Sequence, residues 1–226
     1  MARKMTRGEC ALCNRVLGKR ALVRHLREHL DSQQASGDAD PEGSKDLVHI
    51  LVDGKYRPEY WMHLEAGGDL TLARLDDMLR YEWLECCDHM SEFLIDGERY
   101  TSNLWEDAPR GAGMGVQLRD VLAEGTEFEH VYDFGSSTHL RLRVVGWRRG
   151  PSLPVTVRIL ARNEPPERAC VRCGEPAELV CTGCCEGPEG TLLCGACGGD
   201  HGCDDERLVI ISNSPRCGVC AYEGWD

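Results

Sequence analysis

EFEHVYDFGSSTHLRLRVVG, residues 127–146, is the stretch that decides the fold. It reads as two strands, about 127–133 and 138–146, with a third to follow at about 153–160. Upstream, LVHILV at 47–52 and YWMHLEA at 60–66 are also strand-like, and the segment between them holds Asp53-Gly54 and Pro58 as turn formers. FLIDGERY at 93–100 has the form of a hairpin turning at Asp96-Gly97. Helices interrupt this pattern twice. Thr71 is placed to cap one whose apolar positions are Leu72, Leu75, Leu79 and Trp83, and a short one over about 117–124 ends at Gly125. Strands dominate and neighbours are joined by short turns, so an α+β fold with a mainly antiparallel sheet and two or three helices is expected.

The chain has 226 residues, 42% of them hydrophobic, and few aromatics. That suits one medium domain with small appended modules better than a single large core. Ten of its fourteen cysteines fall in the last quarter, where metal can supply the folding free energy that burial does not. The opening MARKMTRGEC lacks a following apolar segment, so no signal peptide is expected. No apolar run is long enough to span a membrane. A cytoplasmic location follows as the expectation, and with it metal thiolates rather than disulfides.

Net charge is −12 and unevenly spread. Residues 1–30 carry eight Lys and Arg against Glu9 and Glu28, a net +6, which leaves −18 for the rest. A basic head on an acidic body permits nucleic-acid contact by the head alone. The expected layout is a basic zinc finger at 1–30 and a flexible linker at 31–45 (DSQQASGDADPEGSK). An α+β domain at 46–163 and a cysteine-rich zinc module at 166–226 complete it.

Within the head, Cys10-x₂-Cys13-x₁₁-His25-x₃-His29 resembles the two-Cys, two-His zinc finger, with a central spacer one residue short of the usual length. His25 and His29 lie one helical turn apart, so both imidazoles can face the CxxC knuckle. Leu22 stands where the finger's core leucine belongs, and Leu17 where an aromatic is usual. The base-reading positions would hold Gly18, Ala21 and Arg24, with Lys19, Arg20 and Arg27 available for phosphates. One reader with reach cannot specify much sequence, so backbone, RNA or protein contact fits equally.

The C-terminal array contains CxxC pairs at Cys170/Cys173, Cys181/Cys184, Cys194/Cys197 and Cys217/Cys220, with His201 and Cys203 between the last two. Two thiolates on one tight turn reach a single ion, and two such turns close a tetrahedral site. Alternate pairing of the kind found in cross-braced modules gives one site from Cys170, Cys173, Cys194 and Cys197. A second takes Cys181, Cys184, His201 and Cys203. Cys220 competes with Cys203, Cys185 could replace Cys184, and a Cys217/Cys220 knuckle could displace the His201/Cys203 pair. With the finger, three Zn²⁺ per chain are expected. All their ligands come from protein, which marks the sites as structural.

The segment opening this section, preceded by WLECCDHMSEFLIDGERY and VQLRDVLAEG, resembles the plasmid pRiA4b ORF-3-like family over about residues 46–160. YDFG at 132–135, after Leu118, Val121, Leu122, Gly125 and Phe128, is the most specific part. The resemblance implies an α+β domain of unestablished function, from a family often labelled as insertion-sequence passengers or resolvase-like. Ser136, Thr138 and Leu140 stand where the commonest pattern has an acidic residue, a tryptophan and a histidine. The chain is closer to a subset that reads YDFGSTTEL and appends a cysteine array. That subset closes on a segment similar to NSPRCGVCAYEG at 213–224, usually without a cysteine at position 217, which favours Cys220 over Cys217 as a ligand.

No catalytic constellation is evident. The "resolvase" label would need a nucleophilic serine backed by arginines, and no such set can be placed. Asp133, Ser136, Ser137 and His139 are too close along one strand and turn to converge as nucleophile, base and orienter. In YDFG, Tyr132 and Phe134 read as packing residues, with Asp133 accepting backbone hydrogen bonds at the turn. Cys86 and Cys87, near His89, would diverge by about 100 degrees on a helix, and read as buried core cysteines. Trp61, Trp83 and Tyr100 read as core or groove wall. The expectation is a non-enzymatic zinc-binding recognition protein associated with nucleic acid through residues 1–30. The alternative is an adaptor whose acidic middle and zinc modules bind a protein partner.

Overall fold

The computed structural model describes residues 6–36, 44–102, 112–184 and 190–224, without the side chains of 33–36. The chain divides into two compact units, Met1–Met78 with Met90–Glu164, and Leu79–His89 with Pro165–Asp226.

The first unit is built on a ten-stranded sheet. In chain order the strands are β1 (Arg7–Cys10), β2 (Val16–Gly18), β3 (Ser44–Gly54), β4 (Trp61–Gly67), β5 (Ser91–Ile95), β6 (Glu98–Thr101), β7 (Ala112–Gly113), β8 (Glu127–Tyr132), β9 (Thr138–Pro151) and β10 (Val157–Asn163). Their order across the sheet is β2-β1-β10-β4-β3-β9-β8-β5-β6-β7, antiparallel except for the short β6–β7 pairing. The expected α+β, mainly antiparallel fold is thus present. β5 and β6 turn at Asp96 (φ 48°) and Gly97 (φ 86°), the left-handed pair that a two-residue hairpin requires. β9 runs past the expected end to Pro151 because its partner β3 is eleven residues long and pairs with it from Gly54↔Leu140 to Ser44↔Pro151. The next strand, β10, therefore starts later than expected.

Three helices belong to this unit: α1 (Lys19–Ser36), α2 (Leu72–Leu79, whose last residue belongs to the second unit) and α3 (Leu118–Val121). Thr71 Oγ1 accepts from the Arg74 N–H at 3.4 Å, at the start of α2. α3 is shorter than expected: Leu122 is already extended, and Gly125, at φ 83°, donates its N–H to Val144.

The N-terminal segment differs most from its reading as a separate head. β1 pairs with β10 through Gly8↔Asn163, Glu9↔Arg162 and Cys10↔Ala161, so the β1–β2 hairpin continues the sheet. α1 extends to Ser36, into the segment read as linker, while 37–43 lie outside the described residues. The cause is the apolar stripe Leu22, Leu26 and Leu30, at i, i+4 and i+8. It packs with Leu51, Trp61, Val145, Leu160, Ala161 and Cys10 in one buried cluster. A lone finger has too few apolar residues for such a core, and the sheet provides the missing surface. Gly8 permits the close approach, since a Cβ there would lie 2.3 Å from the Arg162 carbonyl oxygen and 2.4 Å from the Trp61 ring.

The second unit contains a π-helical turn at Arg80–Leu84 and the segment 85–89. It also holds a three-stranded sheet of β11 (Leu179–Cys181), β12 (Thr191–Leu193) and β13 (Leu208–Ile210), in the order β12-β11-β13, and a short helix α4 (Gly195–Gly199). One apolar cluster has Val180, Val209 and Cys217 buried and Leu192 and Ile211 against them, and Trp83, Leu84 and Leu193 are buried in the same unit. Cys217 is thus a core residue, and no Cys217/Cys220 knuckle forms.

Candidate metal centres

In the first unit, β1 delivers Cys10 into a tight turn in which Cys13 and Asn14 donate to the Cys10 carbonyl at 3.3 and 2.8 Å. Asn14 closes the turn at φ 60°, a conformation Asn tolerates better than most residues. α1 then presents His25 and His29 on one face, with ring centroids 4.6 Å apart. Cys13 Sγ lies 3.2 Å from His25 Nε2, and ligand atoms of all four residues fall within 4.8 Å of one another. Burial, then the neighbouring His29 and Arg15, hold the His25 pKa below its ordinary value, which favours the neutral, ligating imidazole.

In the second unit, Cys170 and Cys173 sit on a turn where Gly174 donates to the Cys170 carbonyl at 2.9 Å. Cys194 caps α4, its sulfur accepting from the Cys197 N–H. Cys173 Sγ lies 3.6 Å from Cys194 Sγ and 3.7 Å from Cys197 Sγ. In the second quartet, Cys184 Sγ is 3.3 Å from His201 Nε2 and 3.4 Å from Cys203 Sγ, with Cys181 completing the group. Each quartet is interleaved in sequence, as a cross-braced module requires.

These spacings discriminate between two chemistries. A disulfide needs sulfurs about 2.05 Å apart. Sulfurs on a tetrahedron with bonds of about 2.3 Å lie about 3.8 Å apart. The observed sulfur separations match the second case, and every described cysteine is free. Thiol acidity is graded within each quartet. Burial raises Cys170, but backbone N–H groups of Cys194, Cys173 and Arg172 outweigh it and bring the thiol to about 6. Cys197 is pushed up to about 12 by hydrogen bonding of its thiol to Cys173, Cys194 and Cys170. Cys181 and Cys184 repeat the contrast at about 7 and about 11. Cys170 and Cys181 are thus the more acidic members of these contrasts. The Cys and His donor sets are compatible with zinc.

The structure thus brings together Cys10, Cys13, His25 and His29; Cys170, Cys173, Cys194 and Cys197; and Cys181, Cys184, His201 and Cys203. Cys220 is not in the last of these groups. Its sulfur lies 3.8 Å from Cys87 Sγ and 3.8 Å from His89 Nε2. The reading of Cys86 and Cys87 as buried core cysteines is corrected with it, since Cys87 is exposed and Cys86 half-buried. Helix geometry ends at Leu84, so the divergence expected on a helix does not apply to them. Cys185 lies outside the described residues.

The cations assigned to nucleic acid are not equivalent. Arg20 and Arg24 are exposed, and Arg24 sits 3.8 Å from Glu28. Lys19 is turned inward onto the carboxylate of Asp53, and burial brings its pKa down to about 8, helped by Arg141 and Arg143. Arg27 donates to the Val145 carbonyl at 2.5 Å. The stripe that docks α1 thus turns Lys19 inward, whereas Arg27 bonds the sheet backbone with its side chain still exposed, and periodicity alone did not reveal it.

In YDFG, Asp133 adopts φ 65° and accepts from the N–H groups of Gly135 and Ser136 at 2.9 and 3.1 Å. Tyr132 is buried, whereas Phe134 is 50% exposed and does not pack as expected. A polar group that the sequence did not signal lies nearby. Asp76 accepts from the hydroxyl of Ser91 at 2.8 Å and lies 2.6 Å from His130 Nε2, all three buried. The carboxylate lies between hydroxyl and imidazole, so the histidine cannot take the serine proton directly. The group is an internal tie between α2, β5 and β8.

A sequence profile described as "Plasmid pRiA4b ORF-3-like protein" matches residues 47–171. No curated protein matches the chain. Among solved structures, the one titled "Crystal Structure of Protein of Unknown Function MM3350 from Methanosarcina mazei Go1" is 16% identical, with a TM-score of 0.42 over 52% of this chain and 67% of that one. Among the described residues, no helix is long and apolar enough to cross a membrane.

Proposed function

We propose that the chain, which belongs to the plasmid pRiA4b ORF-3-like protein family, is a non-enzymatic, zinc-organised recognition protein that contacts the nucleic-acid backbone through the outward face of α1. The observation that carries the zinc reading is the closure of each Cys/His quartet by protein ligands at tetrahedral spacing. Such sites hold structure and keep no open position for a substrate. Free thiols in that number suit a reducing compartment.

Arg20 and Arg24 support the contact, since they project from a helix that its own apolar stripe fixes to the sheet. Two outward cations neutralise about two phosphates, which gives weak, sequence-independent and strongly salt-dependent binding. The inward turn of Lys19, the engagement of Arg27 by the Val145 carbonyl and a net charge of −12 favour a second reading: an adaptor whose acidic surface meets a basic protein partner.

Titration of short duplex DNA and RNA into the zinc-loaded chain across a salt series separates the two. Backbone contact predicts a log–log salt slope of about −2 that Arg20→Glu/Arg24→Glu abolishes. No binding at low salt, or binding unchanged in the double variant, overturns it and leaves the adaptor.

A further inference from the structure

We propose a fourth metal site, formed by Cys86, Cys87, His89 and Cys220, that takes one Zn²⁺ and clasps the 80–89 segment to the tail of the same unit. The four residues share no sequence motif, since Cys220 lies 133 positions from Cys87. Their ligand atoms nonetheless fall within 4.8 Å of one another. Cys87 Sγ to Cys220 Sγ, and Cys220 Sγ to His89 Nε2, are both 3.8 Å. These are tetrahedral edge lengths for bonds of about 2.0–2.3 Å, and far exceed the S–S bond of about 2.05 Å. Three sulfurs and an imidazole form a donor set that Zn²⁺ prefers over harder cations.

The surrounding residues hold this geometry in place. Helical structure stops at Leu84 and Glu85 is extended, which frees Cys86 and Cys87 to turn toward one point. Asp88, at φ 56°, reverses the chain so that His89 comes back beside them. Arg80 donates to the His89 carbonyl at 2.6 Å and to Glu85 at 2.8 Å, and Glu85 accepts from the Asp88 N–H. From the tail, Ser214 Oγ donates to the Trp83 carbonyl at 2.6 Å and accepts from the Arg216 N–H at 2.9 Å. The buried Arg216 guanidinium donates to Cys86 Sγ at 3.2 Å and so fixes the position of that sulfur. Cys220 itself is held at φ 53°, ψ 39°, between Gly218 at φ 78° and Ala221 at φ 54°. Left-handed backbone at two consecutive non-glycine residues is costly, and it points the Cys220 sulfur at the other three ligands. The Asn213-Ser214-Pro215-Arg216 run, prominent in the sequence, thus serves as the buttress of this clasp.

Cys87 and Cys220 are exposed, whereas the other quartets each contain at least one buried ligand. This ion should therefore be the most readily removed. The proposal adds one equivalent to the three quartets above and can fail without them.

The test counts zinc per chain by native mass spectrometry of the intact protein. Four ions are expected, and three in each of the single variants Cys87→Ser and Cys220→Ser, whose exposed side chains keep folding out of the comparison. If another quartet fails to load, the wild type still exceeds these variants by one. Equal zinc in wild type and both variants overturns the site. Alkylation gives an independent readout. In the zinc-loaded protein Cys87 and Cys220 should resist alkylation despite their exposure, and should react first as a chelator is added. Immediate alkylation of either in the zinc-loaded protein, or a Cys87–Cys220 disulfide, overturns the site.

Discussion

His49 Nε2 lies 2.9 Å from His63 Nδ1, one residue on β3 and the other on the adjacent β4, and both are buried. Leu51 pairs with His63 and His49 with Glu65, so the imidazoles meet diagonally on one face of the sheet. A hydrogen bond between them requires one ring nitrogen to donate and the other to accept, which a doubly protonated pair cannot do. Burial, with the Arg27, Arg143 and Arg148 guanidiniums, brings the His49 pKa down to about 3. Burial, then His49, Lys19 and Arg143, hold His63 well below its ordinary value.

The pH dependence of stability follows. Unfolded histidines titrate near pH 6.5, and the folded pair titrates well below that. The unfolded state thus binds more protons, so stability is full above about pH 6.5 and falls as pH drops toward the folded values. Two histidines give a limiting slope of about 2.7 kcal/mol per pH unit. Chemical unfolding of the zinc-loaded chain between pH 7.5 and 5.5 should show this decline, and His49→Gln/His63→Gln should flatten it. An equal decline in the double variant would assign the effect to other groups.

Leu26 is fully buried in the cluster that joins α1 to the sheet. Leu26→Ala should destabilise the first unit as a whole by about 2–5 kcal/mol, from lost transfer energy and the cavity left behind. Urea unfolding followed by a probe in the sheet measures it. An unchanged midpoint for the sheet would mean that the N-terminal segment folds independently of it.

Asp76 joins Ser91 and His130 inside the first unit. Asp76→Ala leaves a hydroxyl and an imidazole nitrogen buried without their shared acceptor, at a cost of about 2–5 kcal/mol. Thermal or denaturant unfolding should show the loss. A change below about 0.5 kcal/mol, the level of ordinary surface substitutions, would mean that this tie contributes nothing.

Zinc removal should affect the two units differently. In the second unit short strands and turns are joined by Cys/His quartets, so metal is expected to supply part of its folding free energy. A strong chelator should make residues 165–224 susceptible to limited proteolysis and rapid in hydrogen exchange, while β3, β4 and β9 stay protected. Retained protection across both units after zinc removal would count against the structural role of the metal.

Sequence alone determined what depends on near neighbours along the chain. CxxC turns and a histidine pair one helical turn apart are local geometry, so Cys10, Cys13, His25 and His29 and the CxxC pairs were legible as ligand groups, while the choice of Cys203 over Cys220 beside Cys181, Cys184 and His201 was not. The strand pattern and YDFG likewise marked the family and the antiparallel sheet, because alternation and turn chemistry are local. Tertiary structure decided what depends on long-range packing. Whether Leu22, Leu26 and Leu30 cover a small finger core or a neighbouring sheet is not encoded in their spacing, and the answer turned Lys19 inward onto Asp53. Cys220 met Cys87 and His89 because hydrogen bonds from Ser214 and Arg216 place the tail beside residues 83–89, across more than a hundred positions of chain.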